Sequence, residues 1–221
     1  PRSTLFPYTT LFRSGTNTLV IFTSDNGGVG GKRREGIQGK DITDNTPLRG
    51  GKGMLYEGGV RVPYIFRWPG RIPPGSRSDV PINSVDLYPT LLELAAARRP
   101  AGQVLDGTSY LSVLTGGTAA DSVRPPLFWH FPGYLGSGGG TWRTLPVGTI
   151  RSGDWKLMEF FEDGRLELYH LGDDIGEQRN LAAAQPEKSR ELLAQLMAWR
   201  KELRAPMPTP NPHSGSADAK E

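Results

Sequence analysis

The chain has 221 residues, which at roughly 150 residues per domain predicts one to two domains. It contains no cysteine, which excludes disulfides, zinc ribbons, iron–sulfur ligation and a thiol nucleophile within this sequence. A net charge of +3, from 26 Lys and Arg against 23 Asp and Glu, is too small to argue for nucleic acid or a membrane surface. No apolar run approaches the roughly 18 residues of a transmembrane helix, and no secretory signal pattern is visible at the N-terminus.

In chain order, residues 1–14 do not read as a domain start. Ser3 to Ser14 resembles the conceptual translation of a sequencing-library adapter and is set aside as a non-native scar, the alternative being an ordinary edge strand. Thr18 to Thr23 is a continuous β-branched and aromatic run, which predicts a strand buried on both faces, as in a parallel sheet. It ends at Ser24-Asp25-Asn26-Gly27-Gly28, a turn cluster at the strand's C-terminal end, where open α/β sheets bind ligands. Residues 27–59 form a long glycine-rich stretch, more often functional than idle. Val60 to Trp68 alternates and predicts a second strand, with Pro63 marking an edge or a start. Asp86 is expected to cap a helix running to about Ala97, with Pro89 in its first turn and Leu87, Leu91, Leu92 and Leu94 buried.

The Gly-, Ala- and Pro-rich stretch from Thr115 to Pro126 marks a domain boundary. Short strands follow at Leu127–Phe131, Val147–Arg151, Trp155–Phe161 and Arg165–His170, with hairpin turns at Ser152-Gly153-Asp154 and Glu162-Asp163-Gly164. A helix begins at Pro186, with Leu192, Leu193, Leu196, Met197, Trp199 and Leu203 as its apolar face. The tail from Ala205 to Glu221 has a disordered composition.

Among groups that can do chemistry, Gly50-Gly51-Lys52-Gly53 lacks the flanking residues of a P-loop, and no G-x-G-x-x-G occurs, so a nucleotide cradle is not expected. Asp25 and Asn26 offer hard oxygen ligands suited to Ca²⁺ or Mg²⁺, but two ligands do not fill a shell of six or more. Lys52 sits among glycines that let backbone approach an anion while the ammonium supplies point charge. The plain alternatives are a turn for the Asp-Asn pair and a solvated surface residue for the lysine.

The runs TLVIFTSDNGG from Thr18 to Gly28 and TPLRGGKGMLYEGGVRVPYIFRWPGRIPPG from Thr46 to Gly75 resemble the sulfatase family of the alkaline-phosphatase superfamily, in its arylsulfatase-A-like form. The resemblance continues through Ser84 to Leu91, Leu105-Asp106-Gly107, Phe128 to Pro132, Gly153 to Leu157 and Glu167 to Ala182, in family order.

It implies an α/β fold: an alkaline-phosphatase-like mixed sheet with flanking helices, partial here, then a small C-terminal domain of antiparallel sheet plus a long helix. The implied division is residues 15–120 for the C-terminal part of the α/β catalytic domain, 121–204 for the small domain and 205–221 for a disordered tail. The family hydrolyses sulfate esters with a formylglycine nucleophile, made from Cys or Ser in a C/S-x-P-x-R motif, and a Ca²⁺ ion. Carried over, Asp25 and Asn26 match the metal-ligating Asp-Asn pair, and Lys52 matches the lysine that contacts the sulfate and steadies charge on the ester oxygen. His130 falls in a segment that often faces the substrate; the alternative is a satisfied histidine beside Trp129. Many relatives carry a second histidine where Gly133 stands.

Arg49, Glu57 and Arg61 read as loop-fixing ion-pair partners. Lys32-Arg33-Arg34 reads as a solvated loop face or a substrate-facing basic patch. The C/S-x-P-x-R motif is absent from these 221 residues, so the chain is expected to be inactive alone, a C-terminal fragment lacking the nucleophile half. Interior sheet edges left unpaired predict poor solubility.

The implied partner is a sulfated small molecule or sulfated glycan, and the implied compartment is periplasmic or secreted. Two other readings are a phosphoester or phosphonate hydrolase of the same superfamily, and a non-catalytic anionic-glycan module using the basic loop Lys32-Arg33-Arg34 with Trp129, Tyr134 and Trp142.

Overall fold

The computed structural model describes residues 15–30, 43–117, 124–138 and 141–209. The scar reading of residues 1–14, the Lys32-Arg33-Arg34 patch and the tail beyond 209 lie outside the described residues. The chain divides into two compact units, residues 1–25 with 62–125, and residues 26–61 with 126–221. The glycine-rich segment 26–61 groups with residues 126–221.

In the first unit, β1 (Val20–Thr23) pairs with β2 (Tyr64–Arg67), Val20 opposite Arg67 and Thr23 opposite Tyr64. The pairing is antiparallel in a two-stranded sheet, not the parallel arrangement suggested by the continuous apolar run. Phe22 and Ile65 face one another across the register and are 62% and 59% exposed, so β1 is not buried on both faces. β2 is shorter than the alternation predicted and begins just after Pro63, whose missing N–H suits a strand start.

A 3₁₀ turn at Ser84–Asp86 leads into a helix at Leu87–Leu94, called α2 below. Asp86 does not cap it by side chain, as expected from sequence, but turns back. Its fully buried carboxylate accepts the Asn83 N–H at 2.6 Å and the Thr108 N–H at 2.8 Å, and pairs with Arg124 at 2.6 Å. Leu91 is exposed and Thr90 takes the buried position, its hydroxyl donating to the Asp86 carbonyl at 2.6 Å and accepting the Tyr110 N–H at 3.1 Å. A short helix α3 (Leu111–Leu114) follows.

The second unit opens its regular structure with α1 (Glu57–Val60), a single turn that replaces strand at Val60. Its core is an antiparallel sheet in the order β3 (Leu127–Phe131), β6 (Val147–Ser152), β7 (Trp155–Phe160), β8 (Leu166–His170). All four were legible in sequence to within a residue. Gly153 and Gly164 adopt φ of 59° and 70° in the hairpin turns, a left-handed conformation that glycine adopts freely.

Strand alternation gives the sheet two buried faces. On one, Ile150, Leu157 and Leu168 pack with Leu192 and Leu196 of α4 (Pro186–Leu203). On the other, Val147, Met158, Phe160, Tyr169 and Leu171 pack with Leu55 and Tyr56 of the glycine-rich segment. The helix face differs from the predicted one: Met197 and Leu203 are about half exposed, while Ser189 and Arg200 are buried. Arg200 reaches Glu159 on β7 at 2.5 Å, so its stem covers the sheet while its charge is paired. A second hairpin, β4 (Leu135–Gly138) with β5 (Thr141–Thr144), was not anticipated, because its Gly- and Ser-rich sequence lacks strand alternation.

Candidate functional site: a glycine-knit lysine loop

Lys52 lies in the second unit, on backbone held from both sides. Its N–H donates to the Gly28 carbonyl at 2.8 Å, and its carbonyl accepts from Arg143 Nε at 2.7 Å. Arg143 also donates through Nη2 to the Val29 carbonyl, and Thr144 Oγ1 donates to the Gly53 carbonyl. The Lys52 side chain is exposed. A fixed peptide carrying a solvent-facing ammonium is a suitable anchor for an anion.

A Cβ at Gly27 would collide with the Gly58 carbonyl, and one at Gly51 with the Gly28 and Val29 carbonyls. These glycines let three backbone segments approach one another. The Gly27 N–H donates to the Gly59 carbonyl at 2.9 Å, and the Gly58 N–H to the Arg49 carbonyl at 2.8 Å. Asn45 ties the same segments together. Its Nδ2 stands 3.0 Å from the Gly28 carbonyl, 3.0 Å from Gly50 and 3.3 Å from Gly58. Sequence reasoning missed Asn45. An Asp-Asn-Thr-Pro run reads as an ordinary turn, and the three carbonyls come from residues up to 17 positions away.

Beneath this loop lies a buried ionic cluster. Lys156 on β7 is fully buried and pairs with Glu57 at 2.9 Å and Glu177 at 2.8 Å. The Glu57 N–H donates to Glu177 Oε2 at 2.7 Å, and Arg61 Nε donates to Glu57 Oε2 at 2.7 Å. Burial drives the carboxyl of Glu57 upward, but the charges and hydrogen bonds of Lys156 and Arg61 outweigh it and hold the group below its ordinary 4.5. At Glu177 burial prevails over Lys156, and the carboxyl stands above 4.5. Arg49 lies over the Tyr56 ring at 3.9 Å and donates to Tyr169 Oη at 2.8 Å and to the Glu177 carbonyl at 3.1 Å. Its guanidinium pKa is lowered by burial and raised more by Tyr56, Tyr169 and Glu167, ending above the ordinary value. Arg49, Glu57 and Arg61 are thus loop-fixing ion-pair partners, as their sequence context suggested.

The other candidate residues fall as follows. Asp25 ends the first unit's stretch after β1 and is exposed. Asn26, its neighbour in sequence, is half-buried in the second unit, with Nδ2 donating to the Gly27 carbonyl at 2.9 Å. Segment 26–30 is hydrogen-bonded to segment 51–59, which brings Asn26 and Lys52 into one knot. Asp25 and Asn26 are hard oxygen donors by residue type. Among the described residues no group of three or more His, Asp or Glu is placed to hold a metal ion.

His130 makes its contacts elsewhere. It lies on β3 with Nε2 donating to the Pro206 carbonyl at 2.7 Å and its ring against Phe161. Its Nδ1 is buried with no hydrogen-bond partner among the described residues.

In the second unit a glycine-knit loop presenting a lysine thus packs on an antiparallel sheet that one long helix backs on its other face. The sequence model of the N-sulphoglucosamine sulphohydrolase C-terminal family matches residues 51–205, and the chain belongs to this sulfatase family.

A sulfatase of Formosa agariphila is 42% identical over 197 residues, covering 86% of this chain and 32% of the relative. Steryl-sulfatase of Rattus norvegicus is 41% identical over 150 residues, covering 65% of this chain and 24% of the relative. The crystal structure of Ps i-CgsB in complex with k-i-k-neocarrahexaose matches with a TM-score of 0.68 at 28% identity, over 88% of this chain and 39% of that one. The chain thus spans between 24% and 32% of the length of these two curated relatives. Among the described residues no helix is long and apolar enough to cross a membrane.

Proposed function

We propose that the protein containing this chain hydrolyses sulfate esters, with a sulfated glycan as the substrate class, and that this chain supplies the Lys52 side of the site. The observation that carries the reading is the clamped Lys52 peptide with its exposed ammonium, in a chain of the sulfatase family. The carbohydrate complex of Ps i-CgsB supports the glycan class.

Sulfate-ester cleavage moves negative charge from the sulfate onto the leaving oxygen. Lys52 binds the sulfate and stabilises that developing charge, and its fixed backbone means little reorganisation accompanies the reaction. Asp25 and Asn26 would hold a Ca²⁺ ion, with Mg²⁺ the alternative, through hard oxygens, and the ion would supply charge neutralisation at the sulfate. The nucleophile would be a formylglycine contributed by the rest of the protein. His130 contacts the substrate by exchanging its Pro206 carbonyl for a substrate oxygen.

The test is sulfate release from a panel of sulfated sugars by the full gene product and by this chain alone. The full protein is expected to release sulfate, to lose activity when Ca²⁺ is removed, and to lose roughly 10²–10³ in kcat with Lys52→Ala. This chain alone is expected to release none. A full protein inert on every sulfate ester overturns the reading.

A further inference from the structure

We propose that the β4–β5 hairpin is a sugar-ring platform, on which Tyr134 and Trp142 receive the ring whose sulfate Lys52 holds. This rests on the sulfate-ester reading above.

Three observations converge on it. First, Tyr134 and Trp142 form a ring pair with centroids 5.0 Å apart, yet both stay open to solvent, at 45% and 48% exposure. Large aromatics placed together at a surface carry much apolar area that gains from being covered.

Second, the hairpin is bolted to the lysine loop. Arg143 and Thr144 of β5 bond the carbonyls of Lys52 and Gly53, and Leu135 of β4 fills the space a Cβ on Gly53 would need. In the antiparallel register Leu135 lies opposite Thr144, and Trp142 is two residues from Thr144. Residues two apart share a face and stand roughly 7 Å apart along a strand. By strand alternation Trp142 shares a face with Thr144, whose hydroxyl reaches the carbonyl of Gly53, the residue that follows Lys52.

Third, the chemistry around the rings is mixed. The Tyr134 hydroxyl donates to Glu162 at 2.5 Å, and Arg143 flanks Trp142 in sequence. A pyranose has an apolar C–H face and a rim of hydroxyls. The first matches the aromatic pair and the second matches a carboxylate-edged border. The Lys52 ammonium complements the anionic substituent at one end. A wholly apolar ring system has no use for that border.

The experiment uses the full-length protein with Trp142→Ala, Tyr134→Ala and Trp142→Phe. Steady-state kinetics on N-acetylglucosamine 6-sulfate and N-acetylgalactosamine 6-sulfate are set beside 4-methylumbelliferyl sulfate, and inorganic sulfate is titrated as an inhibitor. For whichever sugar sulfate the parent turns over, KM is expected to rise about tenfold in each alanine variant, with kcat changed less than about twofold. Trp142→Phe is expected to restore most of the loss, and the inhibition constant of inorganic sulfate to stay the same throughout.

An unchanged KM in Trp142→Ala overturns the platform. So does a parallel rise in the sulfate inhibition constant, which would mean the hairpin only shapes the Lys52 loop. A rise confined to the aryl ester overturns the sugar as occupant. If the parent releases sulfate from no ester, the hydrolase reading fails by itself. Calorimetric binding of the two sugar sulfates then still reads the platform, which fails if neither sugar binds or if Trp142→Ala leaves binding unchanged.

Discussion

The two units of this chain solve the burial problem differently. The second sandwiches a four-stranded sheet between a helix and a glycine-knit loop, and buries a lysine between two glutamates at its centre. The first carries a two-stranded sheet with Phe22 and Ile65 open on one face, and Tyr110 is its one fully buried large apolar residue among those described. A sheet covered on both sides can afford an ionic centre, because desolvated charges that satisfy one another specify a single docking of loop on sheet. The two-stranded ribbon encloses no such centre; the first unit's buried ion pair, Asp86 with Arg124, lies instead at the start of α2. The comparison predicts that substitutions in the second unit are costly and that those on the open strand face are nearly silent.

The largest effect is expected from Lys156→Met, which leaves Glu57 and Glu177 buried without their shared cation. Breaking such a pair costs about 3–5 kcal/mol, read by urea unfolding of this chain. A loss below about 1 kcal/mol would falsify the idea that the cluster holds the loop in place.

The two glutamates sharpen the picture. Glu57 is held below 4.5, so the fold favours its charged form. That contribution is present above pH 4.5 and fades as pH falls through the lowered value. Glu177 stands above 4.5, so the fold disfavours its charge and no matching loss on acidification is expected from it. Glu57→Gln should therefore cost about 2 kcal/mol at neutral pH and blunt the acid limb of a stability profile. Glu177→Gln, whose amide oxygen can still accept the Glu57 N–H, should cost visibly less. Equal losses would contradict the assignment.

Asn45→Ala removes a donor facing three carbonyls and should cost about 1–3 kcal/mol. In the full protein it should also lower kcat, and that loss should shrink when Lys52 is already alanine. Double-mutant kinetics would reveal this coupling; strict additivity would separate Asn45 from the lysine.

The smallest effect is expected for Ile65→Lys on the open face, within about 0.5 kcal/mol in thermal unfolding. Its solubility should rise, because a charge interrupts an exposed apolar strand face.

Much of the second unit could be read before folding. Regular alternation in β3, β6, β7 and β8, two turn glycines and a proline at a helix start carry local information, and each became the element expected. The misreadings have a common cause. Val60 alternates like a strand, but its backbone closes α1, where the Arg61 N–H donates to the Glu57 carbonyl at 2.8 Å. Asp86 looks like a cap, but Arg124, distant in sequence, takes its charge. Met197 lies on the apolar stripe of α4, yet Arg200 is the residue that reaches Glu159.

By itself, then, the sequence determined the family resemblance, the strand periodicities and the residue types available for sulfate chemistry, because these depend on neighbours a few positions apart. Tertiary structure alone decided that Lys156 meets Glu57 and Glu177, that Asn45 binds three carbonyls, that His130 faces Pro206 and that an aromatic hairpin flanks Lys52. Each of those contacts joins residues separated by up to about a hundred positions. Such pairs are selected by packing, charge compensation and the exclusion of water, and no local pattern encodes them.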